Sequence, residues 1–146
     1  MTLRYSTMFV FTLALLLGSL STVRAQETAT LSATLSGKNV IPSAGDPDGA
    51  GTASVTIDPA KRQVCYEVNV REIDPSTMAH IHRGAVGASG PPVVSLTAPK
   101  DGTAKGCVGE LDAAVLNAII ANPANFYVNV HTSSYRAGAV RGQLGN

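Results

Sequence analysis

All three histidines of the chain fall in two stretches in which polar and apolar residues alternate. Residues 77–82 read TMAHIH, and residues 127–131 read YVNVH. Successive side chains of a strand point to opposite faces, so His80 and His82 share one face, and His131 lies on the polar face of its own stretch. If the apolar faces form the core, all three imidazoles point away from it.

Two histidines separated by one residue on a strand lie about 7 Å apart at the backbone, close enough for both to bind one metal ion. His131 from a neighbouring strand would complete a three-histidine set, which suits copper, zinc, nickel or iron. Met78 shares the face of His80 and could add a soft ligand for Cu(I). Copper is therefore the favoured ion and zinc the alternative. The competing interpretation is that the histidines face solvent or make structural hydrogen bonds.

The first 25 residues have the features of a secretory signal peptide cleaved after Ala25. Arg4 precedes an apolar run from Met8 to Leu20, which is shorter than the ~20 residues of a membrane span. The expected mature chain, residues 26–146, is then one secreted or periplasmic domain with no membrane span. Two of the 11 basic residues and none of the 10 acidic residues lie in the leader, so the net charge of the mature chain is 9 − 10 = −1. This balance does not favour nucleic acid as a partner.

The chain contains two cysteines, Cys65 and Cys107. In an exported protein an even number of cysteines favours a disulfide, and we expect these two to be paired. A metal–thiolate site is the weaker alternative, because nothing in the sequence places Cys65 near the histidines. Two cysteines also exclude a Cys₄ zinc site or an iron–sulfur cluster within one chain.

Low charge, no tryptophan and many Val, Thr, Ala and Gly residues favour an all-β sandwich or barrel. The first strand is weakly hydrophobic, which is typical of a strand at a sheet edge. Residues 111–121 form the single predicted helix, with Asp112 at its start, an apolar face of Val115, Leu116, Ile119 and Ile120, and a stop at Asn122-Pro123. Besides the two histidine stretches, alternation predicts strands at 28–35, 52–58, 63–71, 93–96, 104–108 and 139–144.

Three spaced motifs stand out in the chain: MAHIHRG at 78–84 followed by Gly90-Pro91, Asn122-Pro123 leading to YVNVHT at 127–132, and VRGQL at 140–144. Together they closely resemble the CHRD domain, which is named after the secreted protein chordin and also occurs in exported bacterial proteins. The resemblance spans about residues 28–144, and the chain looks like a stand-alone bacterial-type member. It implies an immunoglobulin-like, Greek-key β-barrel related to copper-zinc superoxide dismutase.

The resemblance to the dismutase carries over to particular residues. His80 and His82 match the His-x-His strand of the dismutase, and His131 resembles its copper-binding histidine near the C-terminus. No histidine occurs between residues 83 and 126, so the bridging and remaining zinc histidines have no counterpart. Arg136 and Arg141 lie near the position of the dismutase's substrate-guiding arginine, although neither is in register.

Three hypotheses follow from these residues. The favoured one is an exported, non-enzymatic metal-binding module that uses His80, His82 and His131, with Met78 as a fourth ligand. The second is a copper-only dismutase in which Arg141 or Arg136 attracts superoxide. The third is an extracellular adhesion or interaction domain, with structural histidines, that presents loops to an unknown protein or glycan partner. No nucleotide-binding or nucleophile motif is recognisable.

Overall fold

The computed structural model describes residues 27–146 and contains one antiparallel sheet of eight strands and one α-helix. The proposed signal peptide, residues 1–25, lies outside the described residues. No helix within residues 27–146 is long and apolar enough to cross a membrane. The strands are β1 Ala29–Ser36, β2 Ala50–Asp58, β3 Gln63–Arg71, β4 Ser76–Arg83, β5 Pro92–Leu96, β6 Thr103–Val108, β7 Phe126–Thr132 and β8 Val140–Gln143, and the helix is α1 Ala113–Ala121.

The strands pair in the order β5-β4-β7-β8-β1-β2-β3-β6, which forms a nearly closed barrel. Since β7 returns to lie beside β4 after β5 and β6, the order is that of a Greek key. Tyr66 of β3 spans the seam between the edge strands: its hydroxyl donates to Thr97 Oγ1 at 2.8 Å and accepts from Thr97 N at 2.9 Å. Gly106 of β6 leaves room for this ring, because a Cβ there would lie 2.9 Å from the Tyr66 hydroxyl. The predicted all-β architecture is confirmed.

The apolar faces of the strands form the core, as the alternation predicts. In the β2–β3 hairpin Val55 pairs with Tyr66 and Ile57 with Val64, and all four are buried. The predicted edge position of β1 is wrong. This strand pairs with β2 along its whole length and with β8 through Ser36 and Arg141, so the edges of the sheet are β5 and β6. Its weak hydrophobicity reflects the Thr and Ser residues of its exposed face, while Leu31, Ala33 and Leu35 form its buried face.

The predicted helix is present but begins at Ala113, two residues later than expected. Leu111 is held outside it, because its N–H donates to the Arg62 carbonyl and its own carbonyl accepts from Arg62 Nε. Asp112 is the N-cap and accepts from Ala114 N at 2.8 Å. The predicted apolar face packs on the core, with Leu116 and Ile119 fully buried.

Cys65 and Cys107 lie directly opposite each other on β3 and β6 and form a disulfide, with a Cα–Cα distance of 4.0 Å. The expected pairing is confirmed, and the metal–thiolate alternative fails because neither sulfur is free. The bridge spans 42 residues and ties the edge strand β6 to the barrel.

Replacing both cysteines by alanine is expected to lower the free energy of unfolding by about 3 to 4 kcal/mol, because a loop of this length restricts the unfolded chain. Urea denaturation followed by far-ultraviolet circular dichroism measures the loss. Wild-type protein unfolded in the presence of dithiothreitol serves as the control and should match the variant. An unchanged denaturation midpoint would show that the bridge does not contribute to stability.

Candidate metal centre

The three histidines lie on the outer face of the barrel, on the adjacent strands β4 and β7. Their apolar neighbours Ile81 and Val130 are fully buried in the core, so the predicted orientation of the imidazoles is confirmed. The register places His80 opposite Asn129, His82 opposite Tyr127 and Met78 opposite His131. Residues opposite each other in a sheet project from the same face, so this register gathers the polar side chains of both strands.

The imidazoles form one compact cluster. One ring nitrogen of each histidine lies within 4.8 Å of the others. His80 Nδ1 is 3.4 Å from His131 Nε2, and the ring centroid of His80 lies 5.4 Å from those of both His82 and His131. Three nitrogens at these separations can approach a single metal ion.

Two loops cover this part of the outer face, so the solvent-facing alternative is wrong for two of the histidines. His82 is 9% exposed and His131 is 7% exposed, whereas His80 is half-buried. The loop 84–91 brings the Gly90 carbonyl within 2.9 Å of His82 Nδ1. The loop 133–139 brings the Arg136 carbonyl within 2.9 Å of His131 Nδ1.

These two carbonyls determine which nitrogens remain available. A carbonyl only accepts hydrogen bonds, so Nδ1 of His82 and of His131 carries the proton and Nε2 keeps its lone pair. His82 Nε2 is buried and has no hydrogen-bond partner in the described part of the chain. Leaving a buried polar atom unpaired costs about 1–3 kcal/mol. A backbone carbonyl on one nitrogen and a free lone pair on the other is the arrangement of metal-binding histidines.

Two of the three imidazoles, those of His80 and His82, have lowered pKa values. Burial lowers the pKa of His80 below its ordinary value, and the nearby His131 and His82 lower it further. Burial also lowers the pKa of His82, with smaller contributions from His131 and Arg141, while the hydrogen bond to Gly90 opposes the shift. Because imidazole binds metals in its neutral form, these shifts favour ligation near neutral pH.

Tyr127 and Arg141 form one wall of the site. The ring of Tyr127 stacks on His82 with centroids 5.0 Å apart, and the Arg141 guanidinium carbon lies 3.5 Å from the Tyr127 centroid. Because β4 and β8 flank β7 on opposite sides, the phenol ring lies between the imidazole and the guanidinium. Burial lowers the pKa of Arg141, but arginine stays charged at these pH values. The sequence does not reveal this stack, because it depends on the β7–β8 register.

The other candidate residues lie around the cluster. Met78 is 49% exposed and, together with Arg136, lines a cavity of about 380 Å³. Arg136 contributes its carbonyl to His131, and its side chain is exposed. The neighbouring Arg83 is exposed, and its guanidinium carbon lies 4.9 Å from the Phe126 ring centroid.

Comparison with curated proteins and with solved structures finds no match. The family model of the CHRD domain, in contrast, matches residues 31–144. The matched region extends from β1 to just beyond β8 and includes the three histidines, Tyr127 and Arg141. The chain therefore belongs to the CHRD domain family.

Proposed function

We propose that this protein is an exported metal-binding module in which His80, His82 and His131 hold one ion, with copper favoured and zinc as the alternative. The observation that supports this most strongly is the buried Nε2 of His82, which lacks a partner while the Gly90 carbonyl fixes its Nδ1. A metal ion at the centre of the cluster would satisfy this atom.

The donor set favours copper. The cluster consists of three neutral imidazoles, and no carboxylate belongs to it within residues 27–146. Neutral nitrogen ligands suit copper and zinc better than magnesium or calcium, and copper(II) binds such sites more tightly than zinc. The thioether of Met78, directly opposite His131, adds a ligand type that selects Cu(I).

Export and a role in binding, storage or delivery complete the proposal. The signal-like residues 1–25 and the Cys65–Cys107 disulfide support a location outside the cytoplasm. On this view the mature protein, residues 26–146, is a single bacterial-type CHRD domain. Its three-histidine centre corresponds to the copper half of a dismutase-like site.

Two alternatives make different demands on the site. A copper-only dismutase needs a cationic side chain that guides superoxide to the ion. Arg141 is badly placed for this, because the Tyr127 ring lies between it and His82. Arg136 suits the role better, since it lines the cavity beside Met78. An adhesion domain needs no metal, so chelators would leave its activity unchanged.

The mature protein is expected to bind one equivalent of Cu(II), and less tightly of Zn(II), whereas the His80→Ala/His82→Ala/His131→Ala variant binds neither at the site. Isothermal titration calorimetry and metal analysis after gel filtration measure both proteins. A free metal concentration of 100 times the Kd should add about 2.7 kcal/mol to the free energy of unfolding. Equal binding by the two proteins would refute the site, and a superoxide assay on the copper form separates carrier from enzyme.

Met78→Leu is expected to weaken Cu(I) binding roughly tenfold and to leave Zn(II) binding unchanged, because only Cu(I) prefers a thioether. Competition with a chromogenic Cu(I) chelator measures the affinity. Leucine keeps the size and apolar character of the side chain, so the comparison isolates the sulfur atom. Unchanged Cu(I) affinity would remove Met78 from the ligand set without affecting the histidines.

The metal-free protein should lose stability as the pH falls below about 6.5, the pKa of histidine in an unfolded chain. The lowered pKa values of His80 and His82 mean that the unfolded chain takes up protons first, so acid favours unfolding. Urea denaturation at pH 7.5 and pH 5.5 measures the difference. The triple histidine variant should show a smaller decrease, and an equal decrease in both proteins would contradict the assigned pKa shifts.

A further inference from the structure

Arg141 is a buried charge without an acidic partner. Its side chain is 3% exposed, and the ion pairs among residues 27–146 are Lys61–Asp58 and Lys105–Glu67, neither of which involves Arg141. Removing a charge from water without an opposite charge is unfavourable. The cost of burying this charge must therefore be offset by polar or anionic partners in addition to the Tyr127 ring.

Only part of the guanidinium is occupied by the protein. Nη2 donates to the carbonyls of Ala85 at 3.1 Å and Ala88 at 2.9 Å. Nε and Nη1 have no hydrogen-bond partner in the described part of the chain, yet neither is among its buried unpartnered atoms. Each of these two nitrogens therefore keeps a small solvent-accessible area.

Arg141 lines a cavity of about 300 Å³ on the side of the barrel formed by β8 and the residues after β1. Two cationic residues line it, and none of its lining residues is acidic. Its polar lining consists of Arg141, Lys38, Asn39 and Gln143, and its apolar lining includes Ile41 and Val86.

Backbone contacts hold the amide side chains of the cavity in place. Gln143 Nε2 donates to the carbonyls of Gly84 and Ala124, both at 2.6 Å. Asn39 Nδ2 donates to the Arg141 carbonyl at 3.3 Å. The polar wall is thus formed before any ligand arrives, which reduces the entropy lost on binding.

We propose that this cavity binds a small organic carboxylate. The carboxylate pairs with the free edge of the Arg141 guanidinium and with Lys38, since the planar fork of arginine matches two carboxylate oxygens. The aliphatic part of the ligand contacts Ile41 and Val86. A volume at the lower end of ligand pockets restricts the ligand to a few heavy atoms beyond the carboxylate.

The proposed site is separate from the histidine cluster and does not depend on a bound metal. Tyr127 stands between the two, with His82 on one side and Arg141 on the other. Failure of the metal proposal would leave the carboxylate proposal intact, and the triple histidine variant should retain full carboxylate binding.

Butyrate is a suitable probe, and butyramide is its neutral control of the same shape. Titration of the metal-free, ¹⁵N-labelled mature protein with butyrate is expected to shift the amide signals of Gly87 and the side-chain amides of Gln143 and Asn39. Butyramide should leave them in place. Equal shifts with both compounds would overturn the proposal, and so would stronger binding of inorganic phosphate than of butyrate, because phosphate lacks the aliphatic part.

Lys38→Gln is expected to weaken butyrate binding about three- to fivefold, as removal of an exposed cationic contact does. Lys100→Gln removes the same charge elsewhere on the surface and should change nothing. Arg141→Lys keeps the charge but loses the planar fork, and should abolish the shifts if the variant folds. If it does not fold, Lys38→Gln decides: unchanged affinity in that variant would refute the site.

Discussion

The buried guanidinium of Arg141 organises one side of the site. Its Nη2 holds the carbonyls of Ala85 and Ala88, while its face lies against the Tyr127 ring, so the loop 84–91 is fixed onto β7. The same loop carries Gly90, whose carbonyl orients His82. Tyr127 holds the same loop, because the Gly90 N–H donates to its hydroxyl at 3.3 Å. A cation outside the histidine cluster thus helps to position the loop that orients His82.

The second loop depends on a contact of a different kind. Asn129 Nδ2 donates to the Ala137 carbonyl at 2.9 Å, and Gly138 packs directly against the Asn129 amide. A Cβ at Gly138 would lie 2.3 Å from Asn129 Oδ1, and its φ of +142° also favours glycine. This close approach sets the path of the loop 133–139 and so directs the Arg136 carbonyl to His131. Each of the two buried imidazoles is therefore oriented by its own loop.

The sequence predicts the faces of the strands better than their environment. Alternation is a local property, so it correctly placed Ile81 and Val130 in the core and the histidines outside it. Burial of His82 and His131 depends on where two glycine-containing loops fold back, which local patterns do not encode. The register between strands is equally non-local. The pairing of Cys65 with Cys107 was predicted only because an even number of cysteines in an exported protein favours a disulfide. No pattern in the sequence indicates the contact of Arg141 with Tyr127. The wrong prediction of an edge position for β1 has the same cause, because the second neighbour of β1 is β8, the last strand of the chain, and local patterns do not indicate this pairing.

The three imidazoles differ in burial and in their hydrogen bonds, and this difference helps to distinguish a protein that stores an ion from one that delivers it. His82 and His131 are buried, and each has a nitrogen fixed by a backbone carbonyl, so they form the rigid part of the site. His80 is half-buried, and in the described part of the chain its side chain has a single hydrogen-bond partner, His131. Met78, on the same strand, is half-exposed beside an open cavity. An ion bound here would be reached from the side of His80 and Met78. A partner could then replace these two ligands while His82 and His131 still hold the ion, which is the sequence of steps that delivery requires.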